Sequence, residues 1–261
     1  MDDKKKLSII KLCNRVSKNR FPQFQCPNCE NYSQMITNLN SSESIESQNE
    51  LDHEAWDPMW IGGDFAAICA CQSCGQKVYM VGTYIMDQYY EPDYTGDGRP
   101  ELNYEEVYSV KYMSPAMILM ALPAKCPKEV KEYIQSASEA MFTSPDLAAS
   151  RIRTSIDELL TSQNVYKFKD KNGKQFRRTT HERIKLFEEK NKEVANLLEA
   201  VKWIGNEGTH DTTLTISDFL DGVEIYSLAL DLLFDTKKDS IRKKAAEINK
   251  NKGTKKTTSS I

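Results

Sequence analysis

Two closely spaced cysteine pairs constrain the fold of this chain more than any other feature of its sequence. Each of the pairs, C-P-N-C and C-Q-S-C, places two thiols on a short turn, and Gly75 eases the left-handed backbone after the second turn. Two such turns face to face offer four thiolates in a tetrahedral arrangement, which suits zinc because zinc has no geometric preference of its own. The spacing therefore predicts a zinc ribbon with one structural zinc ion bound by Cys26, Cys29, Cys71 and Cys74.

Other roles for the cysteines are less favoured. Four thiolate ligands leave no open position for a catalytic metal, and the presence of two pairs argues against a redox C-x-x-C motif. Cys69 could replace one ligand, although strand alternation places it on the same side as Cys71 rather than in the turn. Cys13 and Cys126 are predicted to be ordinary buried thiols.

Charge is distributed unevenly along the 261 residues. Residues 237–261 contain nine Lys and Arg against Asp239 and Glu247, so residues 1–236 carry a net charge of −10 within a whole-chain charge of −3. An acidic body argues against a surface built entirely around nucleic-acid phosphates. The composition of residues 237–261 predicts a disordered basic tail.

The sequence contains no targeting or membrane-spanning signal. Residues 1–10 lack the apolar segment of a secretory signal, and no stretch approaches 18 consecutive apolar residues. We therefore expect a protein of the reducing cytoplasm, where paired cysteines favour metal binding over disulfides.

Hydrophobic patterning divides the chain into a β-rich region at 1–112, a helical region at 113–236 and the tail. The expected fold class is α+β, with the zinc ribbon followed by an all-α bundle. Runs rich in Val, Ile, Tyr and Phe predict strands, and polar, turn-rich runs predict loops. The strands are expected at 64–69, 77–86 and 104–112, and the loops at 38–52 and 91–103.

Apolar residues at three-to-four spacing predict the helices of the second region. Ser144-Pro145-Asp146 combines an N-cap residue with a proline in the first turn. Asp170, Asn172 and Gly173 predict a loop or small hairpin within 163–178. The helices are expected at about 127–142, 145–162, 180–190, 191–205 and 216–235.

The run VKWIGNEGTHD at 201–211 is the most distinctive part of the helical region. It contains His210, one of only three histidines, in a glycine-punctuated break between two apolar helices. Asn206 and His210 are four residues apart, so on a continuous helix their side chains would share one face. The simplest interpretation is that both residues cap helix ends and hydrogen-bond across a helix–helix contact.

Three segments carry a resemblance to a known family: PAKCP at 123–127, RTSIDELL at 153–160 and WIGNEGTH at 203–210. Over residues 123–234 the chain resembles domain of unknown function 4145, a helical domain found alone or in restriction-endonuclease polypeptides. That domain looks like a divergent member of the higher eukaryote and prokaryote nucleotide-binding (HEPN) superfamily. The resemblance implies a HEPN-like bundle, a homodimer formed through the helices and an association with prokaryotic antiviral defence.

The resemblance also implies a candidate catalytic site. Active ribonucleases of the superfamily use an Arg-Asn-x-x-x-His arrangement, in which the His acts as acid or base and the Arg stabilises phosphate charge. Asn206 and His210 match this motif, but Gly205 stands at the Arg position. Lys202, one turn earlier, or Arg153, on another helix, would have to supply the cation. For Arg153 and Asp157, which stand at i, i+4, the alternative is an ion pair on the helix surface or between helices.

Aromatic residues provide a further candidate surface. They form either the core of the β-rich region, which is the favoured interpretation, or a surface on which bases stack. The residues concerned are Trp56, Trp60, Tyr84, Tyr89, Tyr90 and Tyr94.

The sequence leaves three functions open. The first is a non-catalytic binding or assembly module, which Gly205 favours. The second is a metal-independent endoribonuclease or toxin that uses His210 and Asn206 with Lys202 or Arg153. The third is a zinc-ribbon reader of DNA or RNA that uses its aromatic β-face and basic tail.

Overall fold

The computed structural model describes residues 1–91, 100–207, 214–234 and 236–253. It confirms the α+β fold class, with an antiparallel five-stranded sheet followed by helices. The N-terminal elements are α1 (Asp3–Cys13), β1 (Val16–Ser17), β2 (Gln34–Glu43), α2 (Ile45–Asn49), β3 (Gly62–Cys71), β4 (Lys77–Glu91) and β5 (Glu101–Ser114). The C-terminal elements are α3 (Lys128–Ala140), α4 (Pro145–Ser162), β6 (Phe168–Lys171), β7 (Lys174–Arg177), α5 (Thr180–Glu188), α6 (Lys192–Glu207), α7 (Ile216–Phe234) and α8 (Thr236–Asn251).

The large sheet has the strand order β1-β5-β4-β3-β2, and each neighbouring pair is antiparallel. Side-chain alternation along β3 and β4 turns Phe65, Ala67, Val78 and Met80 to one face, where all four are buried. β3, β4 and β5 confirm the strands predicted at 64–69, 77–86 and 104–112, and each extends beyond its predicted bounds.

The loop predicted at 38–52 is wrong over much of its length. Residues 38–43 pair with β3 as part of β2, and Ser44 caps α2 by accepting a hydrogen bond from the backbone N–H of Ser47. β2 is an edge strand whose side chains are mostly exposed, so polar residues suit it. The backbone of β2 forms its hydrogen bonds to β3, and the hydropathy of the side chains carries no information about backbone pairing.

The helices of the second region confirm the pattern predicted from apolar spacing. The Ser144 hydroxyl accepts a hydrogen bond from the backbone N–H of Leu147 at the start of α4. α5 begins with a capping box, in which Thr179 and Glu182 satisfy each other's backbone N–H groups. β6 and β7 form the small hairpin expected between α4 and α5.

A continuous hydrophobic core joins the sheet to the helical bundle. α1, which no sequence pattern indicated, buries Ile9 and Leu12 completely and contacts both β5 and α7. At its exposed edge, Lys6 forms an ion pair with Asp221 of α7. The N-terminal helix therefore packs against both halves of the protein.

Residues 236–251 form α8, whereas the composition of 237–261 predicts a disordered tail. Residues 241–253 are exposed. Lys, Arg, Ala and Glu are strong helix formers, so a segment rich in them can be helical without burying an apolar face.

Among the described residues, no helix combines the length and the apolar character needed to cross a bilayer.

Candidate metal centre and the Asn206 region

The two cysteine pairs occupy turns of matching shape at one end of the sheet. The first pair precedes β2, and the second pair begins at the last residue of β3 and ends in the turn before β4. The backbone N–H of Glu30 donates to the Cys26 carbonyl at 3.0 Å, and that of Gly75 donates to the Cys71 carbonyl at 2.8 Å. Glu30 and Gly75 also share a left-handed backbone, with φ of 60° and 77°. Each turn thus directs its two thiols toward the other pair.

The four sulfur atoms form a compact cluster. All of them lie within 4.8 Å of one another, with Cys26 Sγ 3.7 Å from Cys74 Sγ and Cys29 Sγ 3.6 Å from Cys71 Sγ. A disulfide would require a separation of about 2.05 Å. Four thiolates about 2.3 Å from a central ion in a tetrahedron lie about 3.8 Å apart, close to the two separations here. The four cysteines can therefore hold one metal ion.

Neighbouring donors favour the thiolate form of Cys71 and Cys74. The backbone N–H of Asn28 lies 3.4 Å from Cys26 Sγ, and its side-chain amide lies 3.6 Å from Cys74 Sγ. The Ser33 hydroxyl lies 3.1 Å from Cys71 Sγ. Its hydrogen bond lowers the pKa of Cys71 to about 6, and the Asn28 amide lowers the pKa of Cys74. Because metals bind the thiolate, these donors prepare the cluster for a cation.

Cys29 differs from Cys71 and Cys74, because its thiolate form is disfavoured. The backbone N–H of Asn31 favours the Cys29 thiolate, but desolvation and the thiols of Cys74, Cys71 and Cys26 together raise its pKa to about 12. Thiolates this close repel one another, so a proton is retained unless a positive ion neutralises the charge. The donor set is therefore suited to a metal ion rather than to four free thiols.

The remaining cysteines lie apart from the cluster. Cys69 is buried in the hydrophobic core opposite Val78 of β4, where burial raises its pKa to about 12. Burial likewise raises the pKa of Cys13 to about 12 and that of Cys126 to about 11. Cys69 and Cys126 are buried, as ordinary core thiols are, whereas Cys13 is only half-buried.

Lys202 and Asn206 lie one turn apart on α6, as their spacing predicts. Lys202 is buried, and its Nζ lies 2.6 Å from Glu199 Oε1, 3.3 Å from His181 Nδ1 and 3.9 Å from the Trp203 ring centroid. Burial opposes the ionisation of Glu199, but the hydrogen bond and charge of Lys202, together with His181, hold the pKa of Glu199 below its ordinary value. Lys202 is thus already engaged by an anion, an imidazole and an aromatic ring.

The predicted ion pair between Arg153 and Asp157 does not form, although Asp157 does take part in an ion pair between helices. Asp157 pairs instead with Arg183 of α5, whose Nη1 lies 2.9 Å from Asp157 Oδ1, and it also accepts a hydrogen bond from Thr180 at 3.1 Å. The Arg183 side chain is only 1% exposed, and a buried guanidinium requires an anionic partner. Within the described part of the chain, Arg153 forms no ion pair.

Gly205 brings α6 close to Arg153. A Cβ on Gly205 would lie 3.4 Å from Arg153 Cβ and 3.8 Å from its Cδ, so the Arg153 stem runs beside the residue that precedes Asn206. Asn206 is half-buried near the end of α6. His210, the other member of the predicted motif, lies outside the described residues.

Some of the aromatic residues predicted to form either the core of the β-rich region or a stacking surface are buried, and others are exposed. Tyr84 is buried beside Tyr108, with their ring centroids 6.3 Å apart. Trp56, Trp60 and Tyr90 are exposed, and the Trp60 ring lies 5.2 Å from that of His53. Tyr94 lies outside the described residues.

The sequence did not predict the roles of three polar residues: His181, Glu199 and Arg183. Glu199 and Lys202 stand at i, i+3, a spacing that could have suggested their pairing. The contacts of His181 with α6 and of Arg183 with Asp157 join separate helices, and no local signal in the sequence indicates them.

The chain matches two domain families. Residues 135–251 match the family model of a domain of unknown function (DUF4145), which confirms the resemblance to that domain from residue 135 onward. Residues 14–113 match the family model of a second domain of unknown function (DUF8608). This segment contains the four clustered cysteines and all five strands of the large sheet except Ser114, the last residue of β5. No curated protein and no solved structure matches the chain.

Proposed function

We propose that the chain is a non-catalytic binding and assembly module, in which a zinc ribbon is joined to a HEPN-like helical domain. It would act in the cytoplasm, as a homodimer formed through the helices, in a prokaryotic defence or nucleic-acid-associated system. The observation that carries the proposal is the convergence of four thiols on one point, which suits a structural zinc ion. Bound there, zinc would tie the segment before β2 to the β3–β4 turn without offering an open position for chemistry.

The surroundings of Asn206 support a non-catalytic role. Gly205 stands where active HEPN ribonucleases carry their arginine, and Lys202 is engaged by Glu199 and His181. An ammonium ion held in this way has little freedom to stabilise charge on a phosphate. Loss of one positioned electrostatic donor typically costs an enzyme about 3 kcal/mol of transition-state stabilisation.

Exposed apolar side chains on the helices support an assembly role. Trp203 of α6 is 57% exposed, and Leu147 of α4 and Leu228 of α7 are each 46% exposed. Tryptophan is enriched where proteins meet partners, so Trp203 carries this argument, whereas single exposed leucines are ordinary on a protein surface.

Metal content and oligomeric state test the proposal. Purified protein should carry about one zinc ion per chain and sediment as a dimer. The double variant Cys29→Ser/Cys74→Ser should lose the metal, whereas Cys13→Ser, which changes a thiol outside the cluster, should retain it. Wild-type protein that binds no zinc when refolded with it, or that remains monomeric at high concentration, would contradict the corresponding half of the proposal.

One observation favours a metal-independent ribonuclease as the second candidate. The Arg153 stem runs beside Gly205, so its guanidinium could take the place of the missing arginine next to Asn206. In that case the protein should cleave RNA in the presence of a chelator, and both Arg153→Gln and His210→Ala should abolish cleavage while the circular dichroism spectrum is unchanged. Arg151→Gln, two residues away on the same helix and exposed, is the matched control. Cleavage that survives in His210→Ala would remove this residue from the mechanism.

A further inference from the structure

The β6–β7 hairpin is an exposed, strongly basic projection on an otherwise acidic body. Residues 166–178 contain six Lys and Arg against the single acidic residue Asp170. Every residue of the two strands except the half-buried Lys169 is exposed. Three aromatic side chains accompany these charges, with Tyr166 80%, Phe168 53% and Phe176 46% exposed. Basic and aromatic residues thus alternate over one short ribbon.

The root of the hairpin is fixed to the helical bundle. Lys167 Nζ lies 2.9 Å from Glu158 Oε1 of α4, and Lys169 pairs with Glu182 of α5. Arg183 donates through Nη2 to the carbonyl of Val165 at 2.9 Å, directly before the hairpin begins. These contacts hold the ribbon at a defined orientation, which an isolated two-stranded hairpin could not maintain in water.

The tip has a different character from the root. Asn172 and Gly173 form a tight turn with φ of 56° and 72°, as in a type I′ hairpin. Lys171 and Lys174 are paired directly across the strands beside the turn, whereas Arg177 pairs with Phe168 at the other end of β7 and lies on the opposite face. Among the ion pairs of the described residues, none involves these three cations.

This arrangement is unfavourable for the protein alone. Like charges directly opposite each other on adjacent strands destabilise a hairpin, and Phe176 exposes apolar surface on the same face as Lys171 and Lys174. A polyanion would relieve the repulsion by neutralising the lysines. The charge pattern is therefore suited to a ligand that carries closely spaced negative groups.

We propose that the β6–β7 hairpin inserts into a groove of double-stranded DNA, with Lys171 and Lys174 on the phosphates of one strand and Arg177, on the opposite face of the ribbon, on those of the other strand. A two-stranded β-ribbon fits the B-DNA major groove, which is about 12 Å wide. The deep, narrow major groove of A-form RNA does not admit it. Single strands are bound on neighbouring aromatic rings, but Phe168 and Phe176 lie on opposite faces of the ribbon and make no such platform.

This inference goes beyond the proposed assembly function. The hairpin lies outside the four-cysteine cluster and the Asn206 region, so it would bind DNA whether or not zinc is bound or the protein is a dimer. Failure of the metal and sedimentation experiments would leave it unaffected.

The test compares two triple variants of the full chain that lose the same charge. The hairpin variant is Lys171→Gln/Lys174→Gln/Arg177→Gln, and the control variant is Lys18→Gln/Lys77→Gln/Lys125→Gln, in which three exposed lysines outside the hairpin are neutralised. Binding of a labelled random-sequence DNA duplex is measured by fluorescence anisotropy over a range of salt concentrations. The hairpin variant should lose at least about tenfold in affinity at physiological salt, and the slope of log affinity against log salt should fall by about 2.7. The control variant should lose less than about twofold.

Three further probes distinguish the ligand: the matched single strand, an RNA duplex of equal length and anionic phospholipid vesicles. The DNA duplex should bind at least about fivefold more tightly than either nucleic-acid competitor. Equal loss of DNA affinity in the two triple variants would overturn the proposal, because it would place the contact elsewhere, for example on the basic α8. Stronger binding to the single strand, to RNA or to vesicles would overturn the assignment of the partner.

Discussion

Arg183 donates from Nη1 to Asp157 Oδ1 at 2.9 Å and joins α5 to α4 inside the helical bundle. The same guanidinium donates to the Asp157 carbonyl, the Thr161 hydroxyl and the Val165 carbonyl. One buried side chain thus fixes the C-terminal turn of α4, the start of the hairpin segment and the position of α5. The contact links the stability of the bundle to the orientation of the hairpin.

Removal of the Asp157 carboxylate should therefore strongly destabilise the protein. Asp157→Ala leaves the Arg183 guanidinium buried without its anion, and breaking a buried pair in this way costs about 3 kcal/mol. Glu132→Ala, which removes an exposed i, i+4 partner of Lys128, should change the free energy of unfolding by less than about 0.5 kcal/mol. Urea denaturation of the two variants measures both values. Equal stabilities would contradict the role assigned to Arg183.

Glu199 should make stability depend on pH in the acid range. Its pKa is lowered from the ordinary value of 4.5, with desolvation opposing the shift and Lys202 and His181 producing it. A carboxylate whose pKa is depressed on folding stabilises the protein fully above the unfolded value, and this contribution is lost as the pH falls through the folded value.

The variant Glu199→Gln should consequently be less stable than wild type by about 1.5 kcal/mol at pH 7, and the difference should shrink as the pH falls below 4.5. Glu188 is more exposed than Glu199 and forms an ion pair with Lys185, so Glu188→Gln should lower the free energy of unfolding by less than about 0.5 kcal/mol. Urea unfolding at a series of pH values measures the difference. A gap that stays constant down to pH 3 would refute the linkage.

Local signals in the sequence predicted much of the fold. The C-x-x-C spacing identified the four cysteines that converge, and Ser144-Pro145-Asp146 located the start of α4 within one residue. These features depend on neighbouring residues, so a single sequence contains enough information to find them. Periodic apolar spacing identified α3 to α7 for the same reason.

Features that depend on distant residues were missed. The continuation of β2 through residue 43 is set by backbone pairing with β3, and its polar side chains resemble those of a loop. Asp157 was assigned to Arg153 by i, i+4 spacing, whereas Arg183, 26 residues away, binds it because burial demands an anion there. Asp170, Asn172 and Gly173 predict the turn of the basic hairpin from local sequence alone. The exposure of its tip and the ion pairs of its root depend on the positions of α4 and α5, which local sequence does not determine.

Gly82 should be among the least replaceable residues of the sheet. It lies at the register irregularity between β4 and β5, and a Cβ there would come within 2.1 Å of the Ser109 carbonyl oxygen. Because the obstacle is backbone, the strands must separate, and Gly82→Ala should cost about 3 kcal/mol. Gly173→Ala at the hairpin tip meets no atom within 4 Å and should cost only about 1 kcal/mol through its positive φ. Thermal and urea denaturation measure the loss of stability in each variant. A similar loss at the two sites would show that β4 and β5 can move apart to accommodate the added methyl group.

Ser33 should control how tightly the cysteine cluster holds zinc, if zinc is its ion. The Ser33 hydroxyl lies 3.1 Å from Cys71 Sγ, and hydrogen bonds of this kind orient a ligand and stabilise its charge. Ser33→Ala should therefore weaken zinc binding by about tenfold, measured by competition with a chromogenic chelator. Ser42→Ala, on the exposed edge of β2 and outside the cluster, should leave the affinity unchanged. An equal affinity for zinc in the two serine variants would mean that the backbone N–H donors alone hold the thiolates in place.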